Sequence, residues 1–246
     1  MNLLEEIDRT ITATPTLWWL GHAGFVIRFA SITFYIDPYL SDLRIAPSDV
    51  HHADMIFATH AHPRHLDCPA VAQMLAASKN AKLILPKSAA DHAHAGGIPY
   101  ERMSTTDSGL RIEYFKDNLY ARVYAVPSAH PHLDWTQANG YPYLGYLIRF
   151  GRWTIYHAGD GVPYPELAAH LRPFNVNVAL LPIGDGSFPV SDAAQLAADI
   201  GAAWVAPYGT FSEAREAEFV THMLGHRPAQ RFHVFQPGQK WTVPED

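Results

Sequence analysis

A chain of 246 residues with 48% hydrophobic content can bury a sizeable core, and residues 1–246 read as a single domain. Its 18 basic and 24 acidic residues give a net charge of −6 with no Lys/Arg run, which excludes a nucleic-acid surface built on phosphate neutralisation. No segment approaches the ~20 apolar residues of a membrane span, the start Met1-Asn-Leu-Leu-Glu-Glu lacks an apolar export core, and Cys68 has no second cysteine to pair with. The expected compartment is the cytoplasm. Oligomeric state is not encoded in any motif.

In chain order, β-rich runs at 16–20, 24–29 and 32–36, separated by short turns, predict a meander. A strand at 55–58 leads through a histidine-rich loop into a helix at 69–78, and a strand follows at 82–85. The second half predicts strands at 111–115, 121–126, 143–150 and 153–157, a helix at 165–171 and a strand at 178–181. It continues with a helix at 192–200, a strand at 204–206, a helix at 213–224 and a closing strand at 233–235. Mixed strands with interleaved helices, and no low-complexity linker, predict an α/β fold of two packed mixed sheets with helices outside.

The loop Thr59-His60-Ala61-His62-Pro63-Arg64-His65-Leu66-Asp67 carries the strongest chemical signal. Histidines at i and i+2 beyond a strand end can converge on one cation, and imidazole suits zinc, iron, nickel or copper. His130 and Asp160 lie beyond other predicted strand ends, where loops on a rigid sheet tend to carry chemistry, so His60, His62, His130 and Asp160 form the candidate metal set. Arg64 brings a fixed positive charge and no lone pair into that loop, so it cannot be a ligand. It fills the gap by pairing with Asp160 or Asp67, or it stabilises developing oxyanion charge.

These segments resemble the metallo-β-lactamase superfamily, in the branch of L-ascorbate-6-phosphate lactonase and N-acyl-phosphatidylethanolamine phospholipase D. The resemblance rests on Trp19-Leu20-Gly21-His22-Ala23-Gly24-Phe25, Ile36-Asp37-Pro38-Tyr39-Leu40, the histidine loop, Ser128-Ala129-His130, Tyr156-His157-Ala158-Gly159-Asp160, Leu181-Pro182-Ile183-Gly184 and Gly209-Thr210-Phe211. It implies an αββα sandwich with a metal site at one edge and hydrolysis of an ester, lactone, amide or phosphodiester bond of a small molecule. It also implies a first ion on His60, His62 and His130 with Asp160 shared, and a second on His65 and Asp160. Two ligands of that second ion are replaced: Arg64 stands where the family has aspartate, and Pro207, or Gly209 in an alternative alignment, falls where its last histidine belongs. The resulting expectation is one divalent transition metal, zinc first with manganese or iron as alternatives, and Asp160, His65 and Arg64 as catalytic groups. The competing expectations are a catalytically silent binding protein and a metal-dependent lyase, isomerase or cyclase. By the same resemblance Asp37 organises the loop beneath the metal, Asp67 caps the next helix or braces a ligand histidine, and His22 and His157 are structural.

Overall fold

The computed structural model describes residues 2–210 and 212–245, so Phe211 of the Gly209-Thr210-Phe211 segment lies outside the described residues. The first half contains α1 (Leu3–Arg9), β1 (Thr16–Gly21), β2 (Gly24–Phe29), β3 (Ile32–Ile36), β4 (Met55–Phe57), α2 (Cys68–Ala77), β5 (Lys82–Pro86), α3 (Ala90–Ala95) and β6 (Met103–Thr106). The second half contains β7 (Arg111–Lys116), β8 (Leu119–Pro127), β9 (Leu144–Phe150), β10 (Trp153–His157), α4 (Leu167–Leu171), β11 (Val178–Pro182), α5 (Val190–Asp199), β12 (Trp204–Tyr208), α6 (Glu213–His226), β13 (Arg231–Phe232) and β14 (Lys240–Thr242). Two seven-stranded mixed sheets result, ordered β14-β1-β2-β3-β4-β5-β6 and β13-β12-β11-β10-β9-β8-β7.

The sandwich follows from which faces are apolar. Alternate residues of both sheets, among them Phe25, Phe34 and Phe57 from one and Tyr146, Ile148 and Leu180 from the other, interdigitate as the central core. The opposite face of the first sheet buries Trp18, Tyr35 and Leu83 against α2 residues Val71 and Met74, and that of the second buries Leu147 and Leu181 with α5 and α6 residues such as Ala194 and Phe219. This is the expected αββα architecture. No helix among the described residues is long and apolar enough to cross a membrane. The closing strand differs from expectation: β13 is Arg231–Phe232, and beyond it His233 donates its amide to the Val205 carbonyl at 3.0 Å and stacks its ring on Trp241 at 4.6 Å.

Burial also sets a pH response. His157 is fully buried, donating from Nε2 to the Ala23 carbonyl at 2.8 Å while Nδ1 accepts from the Gly159 amide at 3.2 Å. Burial pushes its pKa down to about 4, against the opposing pull of Asp37. The folded pKa lies below the unfolded value, so the stabilisation is complete above ~6.5 and is lost as pH falls toward about 4. Unfolding of chelator-treated protein in urea at about pH 7.5 and about pH 5 should show a loss of about 2 kcal/mol from this residue. The loss should shrink in His157→Gln.

Candidate metal centre

Strand direction decides where the site forms. β1 and β3 run the same way because β2 lies antiparallel between them, and β4 is parallel to β3. Likewise β8 and β10 share a direction through antiparallel β9, and β11 and β12 are parallel to β10. The loops after these strands carry, in turn, His22, Asp37, the histidine loop, His130, Asp160, Ser187 and Gly209. The two sheets are tied at this edge: the Leu144 amide donates to the Thr59 carbonyl at 3.0 Å, and the Tyr146 hydroxyl donates to the Ala58 carbonyl at 2.8 Å. Gly159 has φ +73, and a β-carbon there would lie 2.7 Å from the Leu144 carbonyl oxygen of its own sheet and 3.3 Å from Thr59 Cβ, so the turn that presents Asp160 needs glycine here. The Tyr208 hydroxyl donates to the Gly159 carbonyl and pins the turn that presents Asp160.

The residues singled out in the sequence meet around one cavity of about 410 Å³, lined by His22, His60, His62, Arg64, His65, His130, Tyr143 and Asp160. Ligand atoms of His60, His62 and His65 lie within 4.8 Å of one another, and the His60 and His130 rings are 5.9 Å apart. Asp37 sits beneath them, fully buried, its carboxylate accepting from the Thr59 amide at 2.8 Å, the Thr59 hydroxyl at 2.7 Å and His65 Nδ1 at 2.6 Å. Burial pushes the Asp37 carboxyl up, but the charge and hydrogen bond of His65, with His157 and His60, carry it below the usual carboxylate range. Asp37 is thus an anionic brace that fixes the His65 ring. The Asp67 side chain accepts from the Ala70 amide at 3.1 Å and caps α2.

This donor set fits a transition metal. With Nδ1 bound to Asp37, His65 turns Nε2 into the cavity; that atom is buried, has no hydrogen-bond partner and lies 3.7 Å from Asp160 Oδ2. A buried ring nitrogen without a partner, facing a carboxylate oxygen, is a place for a cation to bind. His130 Nδ1 is also buried without a partner. Burial, reinforced by His65, His130 and His62, pushes the His60 pKa down to about 2, so that this ring is neutral and ready to ligate without losing a proton. Burial and His65 lower His62 as well.

Two expectations change. Arg64 is exposed and forms no ion pair with Asp160 or Asp67 among the described residues; Asp67 caps α2 and Asp160 Oδ1 accepts from Ser187 Oγ at 3.3 Å. Pro207 does not line the cavity. It lies in β12 opposite Leu181, and period-two alternation turns it with Val205 and Leu181 toward the helix layer, whereas Ala206 and Tyr208 face the central core. Gly209, with φ +120 and its amide on the His22 carbonyl at 3.1 Å, lines the recess beside Asp160 and Arg64 together with Tyr208 and Thr210. His22 and Tyr143 were not foreseen as lining residues. The His22 ring packs edge-on against His65 at 5.0 Å, and the Gly21-His22-Ala23-Gly24 turn beyond β1 was the available signal.

Comparison with known proteins agrees with this geometry. A family profile described as a beta-lactamase superfamily domain matches residues 33–243. A UPF0173 metal-dependent hydrolase of Caldivirga maquilingensis is 29% identical over 237 residues, covering 93% of this chain and 98% of the relative. Another of that name from Myxococcus xanthus is 32% identical over 217 residues, covering 80% and 71%. Among solved structures, Igni18, a metallo hydrolase of Ignicoccus hospitalis, superposes with a TM-score of 0.75 at 20% identity over 95% of this chain and all of its own, a likeness of fold. The chain belongs to the beta-lactamase superfamily, on the metal-dependent hydrolase side for which its sequence relatives are named.

Proposed function

We propose that the chain hydrolyses an ester, lactone, amide or phosphodiester bond of a small molecule in the cytoplasm, using one divalent transition metal, zinc first, held by His60, His62 and His130 with Asp160 at its edge. The observation that carries this reading is that His60, His62, His65, His130 and Asp160 line one cavity, with His65 Nε2 and His130 Nδ1 buried and without a protein partner. A bound ion there would supply a Lewis acid and a water of lowered pKa. Asp160, with 31% of its side chain exposed, is placed to accept the water's proton at Oδ2. His65 Nε2, 3.7 Å away, accepts it in turn and delivers it to the leaving group, while Asp37 stabilises the charged ring. Arg64 contributes a positive charge to the cavity wall where a second ion would otherwise stand.

The test is elemental analysis of protein purified without added metal or chelator, followed by turnover on lactones, esters and phosphodiesters in ¹⁸O-labelled water. About one zinc per chain and one labelled oxygen in the product are expected. Protein that takes up neither zinc nor manganese with all three histidines intact would overturn the metal assignment, and an unlabelled product would overturn hydrolysis.

A further inference from the structure

We infer that the substrate is an amphiphilic anion, with a carboxylate or phosphate held by Arg64 and an apolar arm in the groove beyond it. This rests on the hydrolytic reading above and names its substrate class. Arg64 stands where three hollows meet: the metal cavity, a recess of about 230 Å³ containing Ser187 and Gly209, and a groove of about 810 Å³. Arginines that the fold buries wholly or in part are consumed by it, whereas Arg64 is exposed. Arg28 is held by the Thr10 and Asp8 carbonyls and the Thr33 hydroxyl, and Arg102 by the carbonyls of Leu75, Ser78 and Ala81. Arg64 makes no side-chain hydrogen bond or ion pair among the described residues, although carboxylates line the same walls. A guanidinium left free at the mouth of a reaction cavity matches the planar, bidentate geometry of carboxylate and phosphate oxygens.

The groove supplies the second half of the argument. Tyr39, Pro63, Leu66, Pro69, Ala95 and Gly96 give it a mainly apolar wall, and its volume falls in the ~300–1,000 Å³ range of small-molecule sites. It shares His62 and Arg64 with the metal cavity, so one ligand can occupy both. Asp67, its one carboxylate, is committed to capping α2, and no lysine lines it. One fixed cation beside an apolar trough suits a single anionic group carrying a hydrocarbon body, and suits a polyanion poorly.

Calorimetry with octanoate, octyl phosphate, uncharged octanamide and acetate, on zinc-loaded and on chelator-treated protein, tests this directly. At least one eight-carbon anion should bind about tenfold or more tightly than octanamide, and Arg64→Gln should remove that preference at unchanged metal content. The tighter of the two anions identifies the group recognised. Ala95→Trp, which narrows the groove, should weaken octanoate toward acetate while leaving acetate unchanged. Equal binding of octanamide and both anions, or an anion preference that survives Arg64→Gln, overturns the proposal; octanoate binding unaffected by Ala95→Trp overturns the groove assignment. Metal content measured on every sample separates the two readings. An Arg64-dependent preference in protein that cannot hold metal overturns the metallohydrolase alone, and about one ion per chain without the preference overturns this inference alone.

Discussion

Asp37→Ala is expected to destabilise the protein by about 3 to 5 kcal/mol, because it removes the one anion from a buried cluster and leaves its donors unpaired. The carboxylate receives the Thr59 amide, the Thr59 hydroxyl and His65 Nδ1, and no water-exposed route replaces those bonds at a fully buried position. The position also has φ +44, a left-handed conformation that aspartate and asparagine tolerate better than alanine. Asp37→Asn separates the two contributions. It keeps the backbone preference and the volume but loses the charge, and its amide group turns a donor toward a donor. Thr59, which Asp37 holds through its amide and hydroxyl, also meets Nδ1 of the ligand His60 at 3.1 Å, so zinc competition with a chelator should show metal affinity reduced about 10- to 100-fold in Asp37→Asn, the range seen when the groups that orient a ligand histidine are disturbed. Urea midpoints should order wild type above Asp37→Asn above Asp37→Ala. An asparagine variant with unchanged zinc affinity would show that His60 is held by packing against the His65 ring, 4.1 Å away, and not through Thr59 and Asp37.

The parts of this site that the sequence discloses are those written in consecutive residues. His60, His62 and His65 occupy one loop after one strand, and His130 and Asp160 each follow a strand whose apolar pattern is unambiguous. Their convergence could be inferred because strand direction puts all those loops at one edge. The state of Arg64 could not, since its side chain is exposed and its position relative to Asp160 and Asp67 depends on how separate loops meet. The choice between Pro207 and Gly209 is hidden for a related reason: alignment places a residue along the strand, but only pleat parity says which face it takes. Among the elements, β14 has three residues and pairs with a strand more than 200 positions earlier, and β6 has the mixed sequence Met-Ser-Thr-Thr at a sheet edge, so neither carries a periodic apolar signal. α1 did carry one. Asn2 and Glu5 form a reciprocal capping box, and Asn-x-x-Glu at a helix start is legible if the segment is examined for caps as well as for charge.

Pleat parity leads to an expected result in metal stoichiometry. Arg64→Asp combined with Gly209→His should raise bound zinc from about one to about two ions per chain, whereas Arg64→Asp combined with Pro207→His should stay near one. In the first double variant the new carboxylate and imidazole join His65 and Asp160, giving the four donors that a closed zinc site prefers, and they do so in the recess that Arg64, Asp160 and Gly209 already line. In the second, the imidazole replaces a side chain that faces Val205 and Leu181 in the helix layer, so that it disrupts packing and delivers no ligand. Position 209 has φ +120, which a histidine adopts at a cost of about 1 to 3 kcal/mol, so a lower Tm in the metal-free protein and its recovery with zinc belong to the same expectation. Arg64→Asp alone removes the repulsive cation but supplies only a third donor, and should bind a second ion weakly. Elemental analysis of wild type, the three single variants and both doubles decides the matter. Two ions in the Pro207 double and one in the Gly209 double would mean that β12 presents its other face to the cavity when metal is bound.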